Sequence, residues 1–248
     1  MKLQHLLRNS VLVAVLSAFA LAASSPAHAS TVWTNWTPDA NSLGSDTTAT
    51  GNMGGITVTY TGQFFQVNNY SNWAPASSYV GGVVDSAPPQ AYDAVVYNLG
   101  SPDTETITFS SPVTNPVIAL WSLGEQDVPV VFIFTDSFIL EAGGTDGYLG
   151  GTSILACTGS SVTAPYTGTG CSATLGTSGT VAYGLEGSGT ILFPGTYTSI
   201  DFTTPDTEYF NGFTAGYVTP EPETLSLLGL GLLALPLLRA SLARRRRA

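Results

Sequence analysis

Between Ser30 and Thr219 the chain carries no Lys, no Arg and no His, yet it holds ten Asp and five Glu. No internal ion pair can form over that stretch. Any fold it adopts therefore rests on apolar burial and hydrogen bonds. The fifteen carboxylates repel one another, though weakly at physiological salt, where the screening length is about 8 Å. The same absence excludes whole classes of chemistry. Without guanidinium or ammonium groups the stretch can neither clamp phosphate nor neutralise a nucleic-acid backbone, so ATP and nucleic acid are not expected as partners. Schiff-base chemistry, a His-dependent triad and a His-based zinc site fail for the same reason.

The residues present are those of strands and turns. Gly, Thr and Ser are abundant beside Val, Ile, Tyr and Phe, and helix formers are nearly absent. Period-two alternation predicts strands at Ile56-Thr-Val-Thr-Tyr60, at Thr104-Glu-Thr-Ile-Thr-Phe109 and, more loosely, at Tyr197-Thr-Ser-Ile-Asp-Phe202. Pro116-Val-Ile-Ala-Leu-Trp121 and Val128-Pro-Val-Val-Phe-Ile-Phe134 are continuously apolar and predict central strands covered on both faces. Further strands are expected at 33–37, 79–84, 92–97, 180–185, 190–193 and 211–218. Turns are expected at Gly143-Gly144-Thr145-Asp146-Gly147 and Thr177-Ser178-Gly179. Many short strands without helical period predict an all-β chain, a single β-sandwich of jelly-roll type over residues 30–219.

All seven cations lie at the ends: Lys2 and Arg8, then Arg239 and Arg244 to Arg247. Residues 1–29 read as a signal peptide for Sec export and signal peptidase. They have a basic start, an apolar run from Val11 to Ala23, and Ala27-His-Ala29 as the small-residue cleavage site. The other end, residues 220–248, has three parts in order. Pro220-Glu221-Pro222 is stiff and extended. Residues 224–243 form an apolar segment long enough, as a helix, to cross a hydrocarbon core. Arg244, Arg245, Arg246 and Arg247 form a basic tail that stops transfer and stays on the cytoplasmic side. The predicted architecture is thus a signal-peptide helix, an extracytoplasmic β domain and a C-terminal transmembrane helix.

Val218-Thr-Pro-Glu-Pro-Glu-Thr224, the following Leu-Leu-Gly-Leu-Gly-Leu-Leu and the four arginines resemble the PEP-CTERM sorting signal of exopolysaccharide-producing Gram-negative bacteria. Thr219 stands where that pattern usually begins its Pro-Glu-Pro with a valine directly before it. The resemblance implies that an exosortase, a membrane-embedded cysteine protease, recognises Pro220, Glu221 and Pro222 and releases or transfers the body. It implies delivery to the cell surface or extracellular matrix and a link to exopolysaccharide or biofilm. Asn115-Pro-Val-Ile-Ala-Leu-Trp-Ser-Leu-Gly124 and Leu185-Glu-Gly-Ser-Gly-Thr190 resemble segments of other PEP-CTERM bodies, which carry no assigned activity.

Within the body, Cys157 and Cys171 flank a short loop, and in an exported protein such a pair predicts a disulfide. No histidine exists there to activate either thiol, so no catalytic cysteine and no catalytic residue of another kind is expected. Asp103 with Glu105 and Glu125 with Asp127 share a face if they lie on strands. Each pair could hold Ca²⁺ or, in a carboxylate-only glycoside hydrolase, act as acid and base; ordinary solvated strand ends are the plainer reading of both. No cofactor other than such a cation is expected. Trp33, Trp36 and Trp73 are candidates for an exposed sugar-stacking platform, with core packing as the plainer reading; Trp121 reads as core. The expectation for the body is a non-enzymatic structural or interaction protein, with a carbohydrate-binding module as the alternative.

Overall fold

A computed structural model of the chain describes residues 30–38, 48–68, 73–90, 94–97, 100–125, 127–145, 152–158, 168–206, 208 and 210–219. The expected signal segment and sorting segment, with their helices, Pro220 to Pro222 and Arg244 to Arg247, lie outside the described residues. Among the described residues no helix is long and apolar enough to cross a membrane.

Ser30–Thr219 forms one compact unit. It begins with β1 (Thr31–Trp33), β2 (Asn35–Trp36), β3 (Thr48–Met53), β4 (Ile56–Thr61) and β5 (Gln66–Asn68). After a single 3-10 turn at Ala76–Ser78 come β6 (Ala94–Tyr97), β7 (Ser101–Thr114), β8 (Pro116–Leu123) and the long β9 (Val130–Thr145). The short β10 (Leu155–Cys157) and β11 (Cys171–Ser172) precede β12 (Ser178–Gly184), β13 (Gly187–Leu192), β14 (Thr196–Thr204) and β15 (Asn211–Val218).

The strands form an antiparallel sheet in the order β2-β3-β4-β7-β14-β9-β13-β8-β15-β6-β5, with β1 added to β15 and β12-β10-β11 added to β9. β9 is the corner. Its first residues pair with β12 and β14, and its last seven pair with β13. The sheet therefore doubles back on itself, and rings from strands far apart in its order meet in the middle. Tyr60 of β4 and Phe202 of β14 lie 5.3 and 5.8 Å, centroid to centroid, from Phe213 of β15. Trp36 of β2 meets the same ring edge-on at 6.2 Å. The result is a β-sandwich with an aromatic centre.

Alternation places the residues as their pattern requires. Val58, Tyr60, Ile107, Phe109, Ile200 and Phe202 are buried in the central core, while Thr57, Thr61 and Thr108 between them are exposed. β8 is buried on both faces. Ile118 and Leu120 join the central core, and Val117 and Ala119 face a second cluster built from Trp33, Trp73, Tyr79 and Val84. β9 behaves likewise, with Phe132 and Phe134 inward and Val131 in a third cluster with Cys157, Val181 and Tyr183.

Three local expectations are corrected. Gly143-Gly144-Thr145 lies within β9 and forms no turn there. Its glycines let neighbouring chain approach, since a Cβ at Gly144 would come within 2.9 Å of Ser78 Oγ. Residues 79–84 form no strand. Gly81 and Val84 close a tight bend through paired backbone bonds of 3.1 and 2.8 Å, with Gly82 at φ 52°. Thr177-Ser178-Gly179 does not separate strands either, because β12 starts at Ser178. The turn comes earlier, where the Thr177 amide donates to Thr174 O and Gly176 takes φ 84°. β3, β5, β10 and β11 fall outside the strands expected from the sequence; Thr-Ala-Thr-Gly-Asn of β3 lacks large apolar residues, and the other three span only two or three residues each.

Candidate functional site: buried carboxylates without counter-charges

Glu105 lies on β7 in the register of Ile107 and Phe109, so it points into the core and is 1 % exposed. Across β14 its partner is Phe202. Tyr97 Oη from β6 lies 2.9 Å from Glu105 Oε2 and 3.0 Å from Tyr60 Oη, and the Tyr60 hydroxyl donates to the Gln63 carbonyl at 3.0 Å. The Thr204 hydroxyl donates to Glu105 Oε1 at 3.4 Å, and the Gln63 amide also reaches the carboxyl. Gly62 makes room for this cover: a Cβ there would meet the Tyr60 hydroxyl and come within 2.9 Å of Glu105 Cγ.

Proton supply along this chain favours a neutral Glu105. The contacts Glu105–Tyr97, Tyr97–Tyr60 and Tyr60–Gln63 O need three protons, and the two phenols supply two. A protonated Glu105 supplies the third, giving Glu105 → Tyr97 → Tyr60 → Gln63 O with every hydroxyl donating once. An ionised Glu105 leaves one contact without a proton. Burial acts in the same direction and pushes the Glu105 carboxyl up to about 7 against the opposing hydrogen bonds from Tyr97, Tyr60, Thr204 and Gln63. Burial raises both phenols as well.

A second carboxylate group sits where chain turns enclose the end of the sandwich. Glu208, 3 % exposed, accepts the Gly124 amide at 2.9 Å and Asn211 Nδ2 at 2.6 Å, both on Oε2. Burial, then the repulsion of Glu186 and Glu125, pushes it up to about 8. Glu186 is 6 % exposed, with φ 57° in the β12–β13 turn, and accepts the Ser122 hydroxyl at 3.0 Å. Asn211 Oδ1 is buried without a hydrogen-bond partner among the described residues. The donors on Glu208 are N–H groups, which solvate an oxygen and repel a cation.

The two expected pairs sit in different settings. Asp103 is exposed while Glu105 is enclosed in the core, so no shared cation or acid–base cleft joins them. Glu125 is half-buried and pairs through its backbone with Val128 across a tight turn. Asp127 in that turn is exposed, with φ 72°. Among the described residues no three His, Cys, Asp or Glu side chains converge to hold a metal ion.

The stacking platform is also absent. Trp33, Trp36 and Trp73 are 9, 1 and 1 % exposed. The Trp36 indole donates to Thr214 Oγ1 at 3.0 Å, Trp33 donates to the Ser86 carbonyl at 2.9 Å, and Trp73 packs edge-on against Tyr79. Cys157 and Cys171 stand directly opposite each other on β10 and β11 and form a disulfide. Glu186 and Glu208 escaped sequence reasoning because each is a single acid outside any alternating run. The burial of Glu105, by contrast, was legible in the parity of Thr-Glu-Thr-Ile-Thr-Phe.

No protein-family model matches the chain, and no curated protein or solved structure matches it either.

Proposed function

We propose that the chain is an exported structural or interaction protein, sorted by a PEP-CTERM segment and delivered to the cell surface or extracellular matrix. In this reading signal peptidase removes residues 1–29 after Sec export. The apolar segment at 224–243 holds the chain in the inner membrane with Arg244 to Arg247 inside. An exosortase then acts at Pro220-Glu221-Pro222 and frees the body, a jelly-roll β-sandwich whose surroundings include exopolysaccharide.

The observation that carries the reading is the charge partition: seven cations in the two end segments and none in residues 30–219. A compact unit with those same limits supports it. A structural role, as against catalysis, is supported by the candidate acids being either enclosed by hydrogen-bond donors or dispersed. Intact-mass measurement of protein recovered from outside the producing cells tests the proposal. The expected species begins at Ser30 and lacks the basic tail. Full-length chain found only in the cytoplasm would overturn it.

A further inference from the structure

The two ends of the body meet. Thr31, Val32 and Trp33 of β1 lie opposite Val218, Tyr217 and Gly216 of β15. One residue further out, the Thr219 amide donates to Ser30 O at 2.9 Å, the Thr219 hydroxyl donates to Ser30 O at 3.0 Å, and the Ser30 nitrogen donates to Thr219 Oγ1 at 3.0 Å. At the inner end the Thr34 amide and hydroxyl both donate to Ala215 O, at 2.9 and 2.7 Å. β1 is held on its other side too. The Thr31 amide donates to Asp85 Oδ1 at 2.7 Å, the Asp85 amide donates back to Thr31 Oγ1 at 3.2 Å, and the Trp33 indole is tied to Ser86. The Trp33 ring lies against Gly216, where a Cβ would come within 2.6 Å of it.

β15 therefore has a strand on each edge. Gly216 lies between Val117 and Trp33, and Tyr217 between Pro116 and Val32. Peptidases bind their substrates as extended chain through backbone hydrogen bonds, much as a sheet edge accepts an added strand. Backbone already paired on both sides offers a peptidase nothing to bind.

We infer that β1 is a clasp that ends the fold at Thr219 and confines the cut releasing the C-terminal segment to chain beyond that residue. A peptidase reaches 215–219 only after β1 has detached from β15. The clasp survives removal of residues 1–29, because the Ser30 nitrogen becomes an ammonium that still donates to Thr219 Oγ1. In residues 30–219 it is then the sole cationic group, since no Lys, Arg or His is present there. The inference rests on residues 220–248 being a processed segment, but its test does not need the host protease.

The full chain in detergent is digested with a broad-specificity peptidase, and the new C-terminus is followed by intact mass. The parent should lose residues beyond 219 and then stop. Thr219→Val removes both side-chain bonds of the outer pair and should speed trimming into 215–218 by about tenfold. Thr31→Cys with Val218→Cys joins a pair next to the hydrogen-bonded Ser30–Thr219 pair and therefore itself non-hydrogen-bonded, where strands approach closely enough for a disulfide. Oxidised, that variant should resist trimming; reduced, it should return to the parent rate. Trimming of the parent past 215 as fast as the tail is lost would overturn the clasp, as would a Thr219→Val rate equal to the parent's. Protein that passes this assay yet leaves cells with residues 220–248 intact would sink the sorting proposal and leave the clasp standing.

Discussion

Replacing Glu105 by Gln should leave the domain's stability nearly unchanged at about pH 4 and raise it progressively towards pH 8. A Gln amide offers Tyr97 an N–H in place of the carboxylic O–H, so the relay through Tyr60 to Gln63 survives, now without a titrating group. In the parent, the folded carboxyl titrates at about 7 against an ordinary value of 4.5. Between those values the folded chain holds a proton that the unfolded chain has lost. Stability therefore falls as pH rises from about 4.5 to about 7 and levels off above that. The shift of about two and a half units corresponds to roughly 3 kcal/mol, present in acid and lost at pH 8. Glu208, pushed up to about 8, adds a fall of the same sign in both proteins and cancels from the comparison. Urea unfolding followed by tryptophan fluorescence at pH 5, 6, 7 and 8 gives the difference directly. Variant minus parent should grow from about 1 kcal/mol at pH 5 to about 3 kcal/mol at pH 8. A difference that stays constant would mean that Glu105 titrates alike folded and unfolded, and the proton count would be refuted.

Three further outcomes are expected. Gly62→Ala should destabilise the domain by about 1–3 kcal/mol, read from the urea midpoint, because the new methyl displaces the cover over Glu105 and Tyr60. Reducing the Cys157–Cys171 bridge, whose cysteines are 14 residues apart, should cost on the order of 3 kcal/mol, seen as a lower Tm under reductant. Acrylamide should quench the native tryptophans poorly and the urea-unfolded ones well, since Trp33, Trp36 and Trp73 are enclosed; equal quenching in both states would contradict their burial.

The sequence by itself determined the class of the fold and its electrostatic character. Alternation in Ile56–Tyr60 and Thr104–Phe109, and the unbroken apolar runs of β8 and β9, report strand geometry because side chains change face at every residue. A strand needs only its own pattern to show which face is apolar. The absence of cations is likewise a matter of composition, and it guarantees that any buried acid must be met by hydrogen-bond donors or a proton. Which acids those are depended on tertiary structure. Glu105 and Asp103 share a face in sequence, yet one lies beneath Tyr97, Tyr60 and the 62–64 segment while the other reaches solvent. Those covering groups come from two other places in the chain. Glu208 meets Gly124 and Glu186 only because three separate turns converge. The tryptophans were ambiguous for the same reason, since an indole's neighbours come from distant strands, and it is the pairing of β1 with β15 that brings Phe213 to Trp36. Pairing between residues far apart in the chain is set by the packing of whole layers, and no local pattern encodes it.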